Sequence, residues 1–227
     1  MKLKTEVLKK VVGHTSFLVD DVVLAFEDDG LSVRVVDPSH VAMLSLFIPK
    51  DDFEEYEAVG SVAVELPKVK EVLAIAKKEA IVDITHDAEK NRLVFTLGNI
   101  QRRMALLDIN SMGAPQKVPD IDYDKPSLVE QAELKKALEA IAYVTDHLTI
   151  KVRGGKIIIT AEGKGDEMRV ELGGEAGAEA RAMYPLGYIL PAVKTMSGKI
   201  SVFLKDDYPI TLEGENVKYM IAPRIED

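Results

Sequence analysis

Val7-Leu8-Lys9-Lys10-Val11-Val12 near the start of the chain and Glu133-Leu134-Lys135-Lys136-Ala137-Leu138 past its middle share one pattern, 126 residues apart. Each sets two lysines among apolar residues at helical spacing. The order of elements around them repeats too. The strand that follows Gly30 matches the one that follows Gly155, and a helix opened by Pro67 matches one opened by Pro185. Each half therefore reads as helix, hairpin and strands, Pro-opened helix, strands. Two tandem copies of one α+β domain follow from this self-similarity.

Four helices are expected, over Lys4–Val12, Pro67–Glu79, Glu130–Asp146 and Pro185–Met196. Proline is favoured at a first helical position, whereas Pro191 falls inside the fourth helix and should kink or shorten it. Hairpins are expected where short β-rich runs flank turn residues: Asp21–Phe26 with Leu31–Val36, Ile81–Thr85 with Leu93–Leu97, Leu148–Val152 with Ile157–Thr160, and Ile200–Leu204 with Ile210–Leu212. Asn110–Pro126 carries three prolines, a glycine and several acids and reads as an extended linker. The expected domains are 1–109 and 127–227, with 110–126 connecting them.

Composition narrows the function. Of 227 residues 47% are hydrophobic and 30% charged, enough for a core and a solvated surface. A net charge of −9 argues against gripping nucleic acid over the whole surface. The absence of cysteine excludes disulfides, thiolate catalysis and cysteine metal sites. Met1–Thr5 lacks the apolar core of a signal peptide, so a soluble intracellular protein is expected. The histidines, His14, His40, His86 and His147, show no metal-ligand spacing; His86 is expected beside a turn and His147 at a helix end. The acid pairs Asp20-Asp21, Asp28-Asp29, Asp51-Asp52 and Asp206-Asp207 sit in turns where water keeps both carboxylates ionised. Gly163-Lys164-Gly165-Asp166 lacks the spacing of a phosphate loop. No catalytic residue, metal or cofactor is expected.

Charge placement is more informative. The first and second helical segments and the stretch 185–199 each carry an excess of two positive charges, and the third helical segment an excess of two negative. Three positive helices in an acidic chain suggest a basic face that meets phosphates without reading sequence. With no tryptophan and no aromatic cluster among these lysines, base stacking is not expected.

Val36-Asp37-Pro38-Ser39-His40-Val41-Ala42 resembles the Met-Asp-Ser-Ser-His-Val segment of the proliferating cell nuclear antigen family, in its shorter archaeal form. The ending Lys218–Glu226 looks like that family's Tyr-Tyr-Leu-Ala-Pro-Lys-Ile-Glu. Asp207-Tyr208-Pro209-Ile210, Leu8-Lys9-Lys10 and Leu107-Asp108-Ile109 also fit, so the resemblance spans the chain in order. It implies a DNA-clamp fold: two similar domains, each with two helices on antiparallel sheet, assembling as a closed ring of three identical subunits around duplex DNA. A weakly basic lining with an acidic exterior suits a ring that slides.

The resemblance also implies sites. Lys9, Lys10, Lys70, Lys136 and Lys194, then Lys77, Lys135 and Lys199, would face DNA. Subunits would meet through Lys77, Lys78, Arg102 and Arg103 against Glu130, Glu133, Glu139 or Asp146 of the neighbour. Edge strands near Gln101–Leu107 and Met168–Leu172, with Met168 and Val170, would pair there. A pocket for client peptides would use Val36, His40, Val41, Met43, Val118, Pro119, Tyr123, Pro209, Met220, Ala222, Pro223 and Ile225. Implied partners are double-stranded DNA, DNA polymerase, the clamp loader (replication factor C), flap endonuclease, DNA ligase and further copies of the chain, in the archaeal cytoplasm at the nucleoid and with no membrane. The alternative is a clamp paralogue serving as one subunit of a heterotrimeric or checkpoint-type ring.

Overall fold

The computed structural model describes every residue except 78–79, 114–116 and 225–227. Lys78 and Ile225, expected at the subunit boundary and the pocket, lie outside the described residues. Contacts divide the chain into two units, Met1–Pro38 with Leu44–Lys117 and Ser39–Met43 with Val118–Asp227.

The first unit runs β1 (Lys2–Lys4), α1 (Thr5–Thr15), β2 (Asp21–Glu27), β3 (Gly30–Val36), β4 (Ala42–Pro49), β5 (Phe53–Glu55), β6 (Gly60–Glu65), α2 (Leu66–Ile75), β7 (Ile81–Asp87), β8 (Arg92–Leu97) and β9 (Ile100–Ala105). The second runs β10 (Ser127–Glu130), α3 (Gln131–Ile141), β11 (His147–Arg153), β12 (Lys156–Gly163), β13 (Asp166–Leu172), β14 (Ala180–Pro185), α4 (Leu186–Thr195), β15 (Lys199–Phe203), β16 (Ile210–Gly214) and β17 (Val217–Ile221).

Strand order repeats with the sequence. In the first unit neighbours run β1-β7-β8-β9 and β4-β3-β2-β6; in the second they run β10-β15-β16-β17 and β13-β12-β11-β14. β5 is an addition to the first unit, pairing with β1. The repeated lysine pairs of the sequence fall on α1 and α3, and each packs beside the Pro-opened helix of its own unit. Val7, Leu8, Val11 and Val12 of α1 are buried, as are Leu134, Ala137, Leu138 and Ile141 of α3. Burying one such aliphatic side chain contributes about 1.5–3 kcal/mol, so a four-residue stripe fixes which face points outward. Alternation does the same for strands: in β4 every second residue, from Ala42 to Ile48, is buried.

Helix ends differ from the expectations. α1 continues to Thr15, whose hydroxyl donates to the Val11 carbonyl at 2.6 Å. α2 stops at Ile75 because Ala76 is already extended, with ψ 131°, so Lys77 lies beyond the helix. α3 occupies Gln131–Ile141, leaving Glu130 in β10 and Asp146 before β11. α4 runs through Pro191 without stopping. The carbonyl that Pro191 leaves without a donor is that of Gly187, which is exposed to solvent. Gly30, which closes the β2–β3 hairpin, has φ 155°; a Cβ there would sit 2.3 Å from the Ile48 carbonyl oxygen, so no larger residue fits.

Candidate DNA-facing helices and connector groove

The outward face of each helix pair is small and weakly basic. Within the observed bounds α1, α2 and α4 each carry one net positive charge and α3 carries none. Lys9, Lys10, Lys70, Lys136 and Lys194 are exposed and Lys135 is half-buried. Lys77, past the end of α2, and Lys199, which opens β15, are exposed but off the helices. Among the described residues Lys9, Lys10, Lys70 and Lys136 form no ion pair. Lys194 does, meeting Glu139 at 3.1 Å. That pair and the Gln131 amide, which donates to the Val193 carbonyl at 2.8 Å, tie α3 to α4.

Beneath the exposed Lys10, His14 is buried at 6% exposure. Burial, then the charge of Lys10, pushes its pKa down to about 4, so the ring is neutral at physiological pH. His86 is half-buried within β7. His147 begins β11 rather than ending a helix, because α3 closes six residues earlier. Its Nδ1 lies 2.8 Å from Asp146 Oδ1 and 3.0 Å from the Thr145 hydroxyl. That hydrogen bond holds the Asp146 carboxyl below the usual range.

Of the residues expected at a subunit boundary, Arg102 forms an ion pair with Glu71 of its own chain. Glu139 and Asp146 are likewise engaged within the chain by Lys194 and His147. Arg103 is exposed on β9, and Met168 and Val170 are half-buried on β13. β9 and β13 are each the outermost strand of their sheet. Glu133 lies against the far end of β13, its carboxylate 3.0 Å from where a Cβ on Gly173 would be.

The connector opens with a short 3-10 turn, Ile109–Met112, capped by Asp108, whose carboxylate accepts from the Asn110 N–H at 2.9 Å. Its later part has no regular structure from residue 118 to 126, and Asp120–Tyr123 lie against β15–β17. Tyr123 anchors it. The phenol donates to the Pro209 carbonyl at 2.6 Å and accepts from the Thr211 hydroxyl at 3.2 Å, and its ring packs on Phe203 at 5.8 Å between centroids. Lys205 adds a bond to the Asp122 carbonyl at 3.4 Å. Burial raises the pKa of Tyr123. Between connector and sheet is a groove of about 440 Å³ lined by Asp120, Ile121, Asp122, Tyr123, Phe203, Thr211 and Lys218.

The pocket residues expected from the sequence fall around this groove more than in it. Tyr123 lines it and Pro209 receives its hydrogen bond. Met220 is paired with Thr211 across β16–β17 and is buried. Val41 accepts from the Ala222 N–H at 2.8 Å, and Val41, Met43, Val118, Ala222 and Pro223 are half-buried. His40 is exposed with φ 56°, and Pro119 is exposed. Val36 is half-buried at the end of β3, in the first unit. Phe203, Thr211 and Lys218 were not expected. Period two would have found them: Val202 and Leu212 point to the core, which turns Phe203 and Thr211 to the connector.

Asp206 and Asp207 hold a turn together. The Asp206 carboxylate accepts from the Arg181 N–H at 2.6 Å, and Asp207 adopts φ 54°. Among the described residues no cluster of acids and histidines could hold a metal ion.

The model of the N-terminal domain of proliferating cell nuclear antigen matches residues 2–116. A DNA polymerase sliding clamp of Methanococcus maripaludis is 32% identical over 246 residues, spanning 98% of this chain and 97% of the relative. The chain belongs to the proliferating cell nuclear antigen family. Another family member, a DNA polymerase sliding clamp of Methanosarcina mazei, is 28% identical over 238 residues, with 99% and 97% of the two chains covered. Among solved structures, A. fulgidus PCNA bound to the C-terminal region of FEN-1 superposes with a TM-score of 0.91 at 26% identity, covering 100% of this chain and 98% of that one. PCNA from Thermococcus kodakaraensis shares the fold, with a TM-score of 0.86 at 21% identity over 98% and 99% of the chains. The sliding-clamp fold expected from the sequence is thus the one observed.

Proposed function

We propose that this sliding clamp works as a ring of three identical chains that encircles duplex DNA and tethers DNA polymerase to it. The observation that supports this best is the repeat itself. Two units of the same strand order each present a pair of helices whose exposed lysines make a weakly basic face on an acidic chain. Closed retention needs no strong grip, and a lightly charged lining lets the ring move along phosphates. Lys9, Lys10, Lys70 and Lys136 carry this lining, with Lys135, Lys194, Lys77 and Lys199 at its margins. The first domain is 1–109, the connector 110–126 and the second domain 127–227.

Ring closure is assigned to the two outermost strands, β9 and β13. β9 offers Arg102 and Arg103; β13 offers Asp166, Glu167 and Glu171 against a single Arg169. Pairing them also removes two open sheet edges. Lys77 and Glu133 lie on the flanks of this boundary.

Client proteins dock at the connector face. The clamp of A. fulgidus is known bound to the C-terminal region of FEN-1, and this chain matches it over its whole length. The apolar residues Met43, Val118, Pro119, Tyr123, Pro209, Met220, Ala222 and Pro223, with Val41 and His40, supply the surface for an extended peptide from flap endonuclease, DNA ligase or polymerase. The clamp loader acts on the same ring, as an opening partner. No step of this function needs a reacting group or cofactor. Among the described residues no helix is long and apolar enough to cross a membrane.

Absolute mass by light scattering, across dilution and salt, tests the ring. A mass near 75 kDa, three times 25.0 kDa, is expected. A species that stays at 25 kDa under all conditions overturns the homotrimer and directs the search to a second, different subunit.

A further inference from the structure

Glu139 and Lys194 form an ion pair that has no counterpart in the first unit. Backbone contacts fix the correspondence. The Thr5 N–H donates to the Ala80 carbonyl at 2.9 Å, and the Gln131 N–H to the Gly198 carbonyl at 2.8 Å; each carbonyl sits just before a strand, β7 or β15. Thr5 and Gln131 are therefore equivalent, which sets Glu139 of α3 against Gly13 of α1. The Leu66 N–H donates to the Asp20 carbonyl at 2.7 Å, and the Leu186 N–H to the Asp146 carbonyl at 2.8 Å. That sets Lys194 of α4 against Ala74 of α2. The acid and its lysine are present together in one unit and absent together in the other.

Glu139 stands among lysines. α4 carries no acid, and α3 carries only Glu133 and Glu139. Glu133 is turned to the end of β13, its carboxylate 3.0 Å from where a Cβ on Gly173 would be. Glu139 follows Lys136 and Lys135 at the spacing that makes residues neighbours on a helix, and it meets Lys194 at 3.1 Å across the helix pair. The Lys194 and Glu139 side chains are 46% and 44% exposed, so whatever lies against this face meets both. In the first unit Lys68 is engaged by Glu65 and Glu71 by Arg102, which leaves Lys9, Lys10 and Lys70 with Glu6. Each helix face thus ends with three lysines and one acid, although the acid and the third lysine stand at positions that do not correspond.

Resting on the DNA-facing reading above, we infer that Glu139 sets the charge of the second unit's helix face, holding Lys194 back from the phosphates so that both kinds of face attract the duplex alike. An exposed ion pair adds little to folding stability. Its effect is on the field. Opposite charges 3.1 Å apart largely cancel at the longer distance of a phosphate, whereas a lysine without the acid neutralises one. A ring with one kind of face stronger than the other would hold the duplex against that face. Glu139 is a positioning residue in this sense: it touches no phosphate and acts through Lys194.

The test is equilibrium binding of the intact protein to a short labelled duplex, onto whose ends a closed ring can thread, measured across salt. Glu139→Gln keeps the shape of the side chain and removes its charge. The freed Lys194 gains one phosphate contact, so binding is expected to tighten about tenfold at about 50 mM salt and log K to fall more steeply with log salt, by about 0.9. E139Q combined with K194A is expected to return the affinity to within about twofold of the wild type and to restore the wild-type salt slope. Glu215→Gln, in the exposed turn before β17, removes the same charge away from the helices and is expected to change neither. No tightening in E139Q, or tightening that persists when K194A is added, overturns the inference. Equal tightening in E215Q overturns it too, because the effect then belongs to net charge. Replacing Lys9, Lys10 and Lys70 with Ala is expected to weaken binding; unchanged binding there overturns the DNA-facing reading itself, whatever E139Q does.

Discussion

Replacing Tyr123 with Phe removes one oxygen from the connector and leaves its ring on Phe203. Two hydrogen bonds go with it, the one given to the Pro209 carbonyl at 2.6 Å and the one received from Thr211 at 3.2 Å. The losses are unequal. Pro209 is half-buried, so water can take its carbonyl; Thr211 is 1% exposed, and its hydroxyl is left without that acceptor. A net hydrogen bond contributes about 1 kcal/mol and stranding a buried polar group costs about 1–3 kcal/mol, which together put the loss near 2 kcal/mol. At about 1.4 kcal/mol per factor of ten, the connector should open about thirtyfold more often. Amide exchange measured by mass spectrometry should quicken by that factor over 118–124 and stay unchanged in β16 and β17. Thr211→Val should quicken it as well, and Tyr123→Phe with Thr211→Val should cost less than the two changes added. Unchanged exchange in Tyr123→Phe, or strict additivity in the double variant, would refute the view that this pair holds the connector down.

Other expectations follow from the helix faces and the core. Replacing Lys9, Lys10, Lys70 and Lys136 with Ala should lower clamp-dependent DNA synthesis without changing the melting temperature, whereas Lys194→Ala alone should do little because that charge is already shared with Glu139; a primer-extension assay at two salt concentrations checks both. His14 should make stability fall in acid. Its pKa is about 4 when folded and 6.5 when exposed, so between these values the unfolded chain binds a proton that the folded one does not. Its contribution is full above pH 6.5, declines towards pH 4 and amounts at most to about 3 kcal/mol; His14→Gln should flatten that part of the stability–pH curve in urea titrations. Leu138→Ala, at a position with no exposure, should cost about 2–5 kcal/mol, read as a drop in melting temperature.

The repeat of Val7–Val12 in Glu133–Leu138 was enough to show two copies of one α+β unit, because burial of one helix face imposes the same spacing wherever the unit occurs. Helix ends were less legible. Nothing in Ala76-Lys77-Lys78-Glu79 breaks a helix by propensity; α2 ends there because the chain must turn into β7, a tertiary demand. Pro191 misled in the opposite sense, since its cost falls on Gly187, which faces solvent. At the docking face, Tyr123 and Pro209 were readable from resemblance. Phe203 and Thr211 were legible only by alternation, as the face opposite Val202 and Leu212, and alternation does not say what lies over that face. The acids expected across the boundary, Glu139 and Asp146, have partners within the chain. Net charge along a helix cannot separate such internal pairs from charges held in reserve.

Ser39–Met43 belongs with the second unit although both its flanks belong to the first. The halves of this clamp are therefore interleaved, and a cut in the connector does not yield two finished modules. A fragment starting at Val118 would lack the carbonyl of Val41 that takes up the Ala222 amide. A nascent chain must hold that strip unsatisfied until about 180 further residues have been made, a long-range contact of the kind that slows folding. The same interleaving offers a split reporter. Fragment 118–227 should remain incomplete alone and regain its native arrangement only when made together with 1–117, which supplies the five residues that it needs.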